Sequence, residues 1–167
     1  NLQEHEPHLF VVFQALRETN LYANHKKACL CLVEIEYLGH IVSVDGIKMD
    51  PKKVAIILAW PIPQNVTALR SFLGLSGFYR RFIELYSFIA SPMTDLLQDQ
   101  VPYEWTPAQQ ESFDTMKEVV STAPVLKIVD PKKPFVLEID ASGIGVGEIL
   151  NQDGRPVAFE SKKLSPT

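Results

Sequence analysis

Apolar residues recur at helical spacing (Leu9, Val12, Phe13 and Leu16), so the pattern predicts an amphipathic helix over residues 8–19. Residues 20–27 are polar and irregular. The stretch 29–44 is rich in apolar and β-branched residues, and Val44-Asp45-Gly46-Ile47 supplies a turn. It reads as a strand pair or hairpin with Tyr37-Leu38-Gly39-His40 in its middle. Asp50-Pro51 then opens a helix that Trp60-Pro61-Ile62-Pro63 forbids beyond about residue 58. Asn65 is placed to cap a long helix over residues 66–83. Ser91-Pro92 opens a short helix through residue 97. Thr106-Pro107 opens another, with Phe113, Met116, Val119 and Val120 on one side, and Ala123-Pro124 ends it. Residues 125–129 read as extended.

After Asp130-Pro131-Lys132-Lys133-Pro134 the period changes from helical to alternating. Residues 135–141, 144–151 and 156–161 read as consecutive strands of a meander, with Gln152-Asp153-Gly154 as the second turn. A helical stretch with short strands followed by a sheet is an α+β pattern, and a domain boundary is expected near residue 130.

Composition narrows this picture. The chain has 167 residues, enough for one domain or two small ones, and a net charge of −4. That charge argues against a nucleic-acid binder driven by its overall field. Basic residues nevertheless come in local pairs: Lys26-Lys27, Lys52-Lys53, Arg80-Arg81, Lys132-Lys133 and Lys162-Lys163. Binding, if any, is expected to be local and sensitive to salt. Cys29 and Cys31 are too close for an unstrained disulfide, and with His25 and His40 they match no standard zinc spacing. Reduced thiols in a strand are the expectation. No segment has the unbroken apolar run of a membrane span, and NLQEHEPHL lacks the order of a signal peptide, so cytoplasm or nucleus is expected.

Two places carry candidate chemistry. In VTALRSFLGLSGFYRRFI, a helix places Arg70, Gly74 and Phe78 at four-residue steps along one face. A face that runs basic, bare and aromatic suits close approach to a nucleic-acid groove. Gly74 and Gly77 would equally permit close packing of two helices. Asp140 ends an apolar strand before Ala141-Ser142-Gly143, a position from which a carboxylate can hold a divalent metal against phosphate. It can equally form an Asx turn before glycine. Glu148 is extended too, but Val146 and Leu150 share its face. No phosphate-binding loop, protease-like pair or paired-glycine fingerprint is present.

The segments YLGHIVS, DGIKMDPKKV, AWPIPQNVTALRSFLGLSGFYRRFI, FIASPMTDLL, WTPAQQESFDTMKE, APVL and PFVLEIDASGIGVGEILNQDGRPVAFESKKLS follow one another in this order. Together they resemble the Pol polyprotein of gypsy-type LTR retrotransposons, in the part running from reverse transcriptase into RNase H. The resemblance implies the end of a palm with its primer-grip hairpin over 1–50, a helical thumb and connection over 51–130, and the first strands of an RNase H-like sheet over 131–167. Tyr37, Leu38, Gly39 and His40 match the hairpin that grips the primer strand. Arg70, Gly74 and Phe78 match the thumb helix that tracks the minor groove of the template–primer duplex. Asp140 matches the first metal-binding aspartate of RNase H.

The implied partners are an RNA–DNA hybrid or DNA duplex and the remainder of the Pol polyprotein, with no membrane. Mg²⁺ is implied for the complete parent enzyme and none for this chain alone. The polymerase's aspartate pair would fall before Asn1 and the later RNase H acids after Thr167. A duplex-positioning fragment without polymerase or nuclease activity of its own is therefore expected. The alternative is a non-enzymatic nucleic-acid-binding or inactive remnant of a transposable element. Two departures stand out: Cys31 replaces a usual aromatic and Glu148 a usual small residue.

Overall fold

The computed structural model describes residues 2–164. Its contacts divide the chain into two compact units, Asn1–Ile35 and Glu36–Thr167. The first unit is a single helix, α1 (Leu2–Glu18), and an irregular tail. The helix begins earlier than residue 8 and runs through Pro7, whose missing N–H breaks only one bond near the start. Phe10, Val11, Val12 and Phe13 are all exposed on it. Cys29 and Cys31 are exposed and lie outside any strand, contrary to the strand expected there. Cys31 adopts a left-handed φ of 58°, which an extended strand does not contain.

The second unit has two sheets and a helical layer. Strands β1 (Glu34–Tyr37), β2 (His40–Ser43) and β3 (Gly46–Met49) form a meander in that order, the chain entering the unit within β1. Asp50 then caps α2 (Pro51–Leu58), accepting from Lys52 N at 2.8 Å. Asn65 caps α3 (Val66–Phe78) by accepting from Ala68 N at 2.9 Å. The helix ends five residues before the expected residue 83 and tightens into a 3-10 turn at Arg80–Phe82, where Phe82 N donates to Tyr79 O at 2.9 Å. Helix α4 (Tyr86–Asp95) starts five residues before Ser91 and carries Pro92 inside it. Helix α5 (Pro107–Ser121) follows the expected Thr106-Pro107 start. Phe72, Phe113, Tyr79, Ile57, Leu69 and Met116 bury their side chains where these elements meet.

Of residues 125–129, expected to be extended, Leu126 bridges to β3 through two bonds with Ile47, at 2.8 and 2.9 Å. The final meander is β4 (Val136–Ser142), β5 (Gly145–Gln152) and β6 (Arg155–Lys163). It packs on the helical layer through β6, which meets α4 and the 3-10 turn. Gly145 and Gly147 allow the close approach: an added Cβ on Gly145 would collide with the Phe88 ring, and one on Gly147 would sit 2.7 Å from Leu85 Cδ2. Between the layers, the linker is pinned by the wholly buried Gln152. This side chain accepts from Asp130 N and donates to Asp130 O, both at 2.9 Å.

Candidate nucleic-acid interface

The interface is built on two local conformations. Strands β1 and β2 are joined by Leu38 and Gly39, both at positive φ (48° and 75°), as a two-residue primed turn requires. Glycine takes that conformation freely, whereas leucine there costs about 1–2 kcal/mol. The turn thereby thrusts Leu38 outward at 73% exposure, beside Tyr37 at 61%. Tyr37-Leu38-Gly39-His40 is thus the tip of a hairpin.

Helix α3 divides sharply into two faces. Leu69, Phe72 and Ser76 are buried, and Tyr79 follows them inward. Arg70, Gly74 and Phe78 are exposed on the other side, with Thr67 and Ser71 beside them. The two glycines separate likewise. An added Cβ on Gly77 would meet the Tyr86 hydroxyl at 3.3 Å, so Gly77 serves packing. An added Cβ on Gly74 meets nothing within 4 Å, so among the described residues no packing contact calls for glycine at 74.

The tip and the helix end are joined directly. The Tyr79 hydroxyl donates to Gly39 O at 2.7 Å. Burial pushes the Tyr79 phenol up from its usual value, so it remains a donor through neutral pH. The His40 ring lies 5.1 Å from that of Phe78 and 5.6 Å from that of Phe82, and its Nδ1 is 3.0 Å from Leu38 O. Seven of the eight residues singled out in the sequence therefore fall into one connected patch. Tyr79 and Arg81 were not singled out. A large aromatic at the end of the basic helix was the available signal for Tyr79.

Asp140 lies apart from the patch. It sits in β4 opposite Gly147, and every residue of that strand is exposed. Glu84, Glu138, Asp140, Glu148 and Glu160 line a hollow of about 240 Å³. Among the described residues, however, no three histidine, cysteine or acidic side chains come close enough together to hold a metal ion. The described residues thus do not make a divalent-metal site around Asp140. Glu148 faces Glu160 across β5 and β6, a like-charge pair that Arg80 offsets from 3.8 Å.

The hairpin, the helical layer and the appended sheet define the fold of a reverse transcriptase where it runs into its RNase H-like part. A foamy viral protease-reverse transcriptase in complex with double-stranded DNA superposes with a TM-score of 0.88 at 24% identity, over 99% of this chain and 30% of that one. The same viral protein in complex with an RNA/DNA hybrid gives 0.87 at 24% identity, over 99% of this chain and 23% of that one. Residues 105–167 match the RNase H-like domain found in reverse transcriptase. The retrovirus-related Pol polyprotein from transposon 297 of Drosophila melanogaster is 39% identical over 166 residues, covering 99% of this chain and 16% of the relative. That from transposon gypsy of the same fly is 38% identical, covering 98% and 17%. An uncharacterized mitochondrial protein of Arabidopsis thaliana is 42% identical, covering 79% of this chain and 84% of the relative. This chain's homologues thus include Pol polyproteins of Drosophila transposons, gypsy among them, and the chain spans about a sixth of their length.

Proposed function

We propose that this chain positions a nucleic-acid duplex for a polymerase site carried elsewhere in a Pol polyprotein, in the cytoplasm or nucleus. Segments 1–50, 51–130 and 131–167 act as the end of the palm, the thumb with its connection, and the start of the RNase H-like sheet. Helix α3 lies along the minor groove of an RNA–DNA hybrid or DNA duplex, and the Tyr37-Leu38-Gly39-His40 tip holds the primer strand. One observation carries this reading: the face bearing Arg70, Gly74 and Phe78 is open, and among the described residues no packing contact calls for glycine at 74. A bare backbone flanked by a guanidinium and a ring suits the wide, shallow minor groove of an A-like hybrid. Foamy viral relatives of the same fold hold double-stranded DNA and an RNA/DNA hybrid, which supports the same partner class here.

Asp140 takes the role of a first RNase H carboxylate, around which the described residues do not complete a metal site. The test is hybrid-duplex affinity against salt concentration. Arg70→Ala is expected to weaken binding by about threefold to tenfold and to reduce the salt slope by about one. Affinity unchanged by both salt and the substitution would remove the reading.

The short Arabidopsis relative, of which this chain covers 84%, favours a second reading: a binding remnant of a transposable element without its polymerase. An activity assay separates it from the first: that remnant would bind duplex but gain no activity when the remaining Pol segments are added.

A further inference from the structure

The two arginines of the 3-10 turn are used differently. Arg80 reaches Glu160 of β6, Nε to Oε2 at 3.8 Å. Arg81 is exposed and makes no ion pair or hydrogen bond among the described residues. It lines a groove of about 460 Å³ between the hairpin tip and the end of α3. The walls are aromatic: Tyr37, His40, Phe78 and Phe82, with Leu38 on the rim. Phe78 is 52% exposed although one side of its ring meets His40, and Tyr37 is more exposed still. Among the residues lining it, Arg81 is the single guanidinium or ammonium group and there is no carboxylate. On its other side Arg81 borders a second groove, lined also by Lys127, Glu148 and Glu160, where acids compete with an anion for the cations.

We propose that the first groove seats one unpaired nucleotide at the end of a bound strand, its base on the rings of Tyr37 and Phe78 and its phosphate on Arg81. The chemistry is complementary. Flat rings accept any base by stacking, and a lone unpaired guanidinium selects phosphate in a groove free of competing acids. The size lies within the ordinary range for small-ligand sites. Phe78 belongs both to this groove and to the exposed face of α3, so the two adjoin. The proposal rests on the duplex-positioning role given above and adds a distinct ligand, since a fully paired blunt end leaves no free base to stack.

The experiment compares a blunt RNA–DNA hybrid, the same hybrid with a one-nucleotide overhang, and one with an abasic overhang, by fluorescence anisotropy with the full chain. The overhang is expected to tighten binding about tenfold, or about 1.4 kcal/mol. The abasic overhang should lose most of that gain. Arg81→Ala should abolish it, and Arg80→Ala should leave it intact. Equal affinity for blunt and overhanging hybrids, with salt-dependent binding of both, would overturn this inference and leave the duplex-positioning role standing. A gain that survives Arg81→Ala would also overturn it. No binding of either hybrid would end both.

Discussion

Tyr79 is wholly buried yet ends in a hydroxyl, and that hydroxyl is the link between the hairpin tip and the helix. Removing the oxygen while keeping the ring isolates the link. Tyr79→Phe is expected to destabilise the chain by about 1 kcal/mol in urea unfolding, because Gly39 O loses its donor. It should also weaken duplex binding, since the tip is then held only by ring contacts. Asp153 is the second residue whose surroundings make a sharp statement. It forms an ion pair with Lys127 and another with Lys133 at 2.8 Å, and these lower its carboxyl from 3.8 to about 2. The unfolded carboxyl takes up a proton first as the solution is acidified. The stabilisation from Asp153 is therefore complete above about pH 4 and disappears as the pH falls through about 2. Asp153→Asn should flatten the pH dependence of the urea midpoint in that interval, and an unchanged profile would show the lysines to be idle.

At the scale of elements, local signals were read correctly wherever the stabilising group is close in sequence. Asp50, Asn65 and Thr106-Pro107 announced α2, α3 and α5 because caps and first-turn prolines act within one turn. The turn Gln152-Asp153-Gly154 likewise announced the final hairpin. The start of α4 escaped, placed five residues too late, because its cap comes from far away. Ser87 N donates to Ser161 Oγ at 2.9 Å, and Ser87 Oγ donates to Ser161 O at 2.7 Å, from a strand 74 residues later. Leu85, the residue before the helix, has a left-handed φ of 55° and no capping side chain. Ser161→Ala should therefore cost about 1 kcal/mol and expose the start of α4 to proteases before the rest of the helical layer. The open face of α3 was legible as spacing, but choosing between packing and approach required knowing that Gly77, and not Gly74, meets Tyr86. The groove at Arg81 was invisible in the sequence, since the tip and the turn that form it lie about 40 residues apart.

At the scale of the molecule, the buried residues concentrate where the helices and the first sheet meet, and β4 stands outside that core. Its Val136, Leu137 and Ile139 are exposed, and β5 is its only partner among the described strands. An apolar strand with one free edge invites pairing with a further strand. With a net charge of −4 the molecule's overall field does not favour nucleic acid, so the proposed binding rests on the α3 face and the hairpin tip. A single substitution tests that claim most directly. Gly74→Leu places a side chain where nothing lies within 4 Å, and leucine favours helix over glycine by about 0.5–1 kcal/mol. Stability and duplex affinity should then move in opposite directions. The urea midpoint should rise, while affinity for an RNA–DNA hybrid should fall about tenfold or more as the side chain holds the helix off the groove. A stabilised variant that binds the hybrid as tightly as the parent chain would contradict the account.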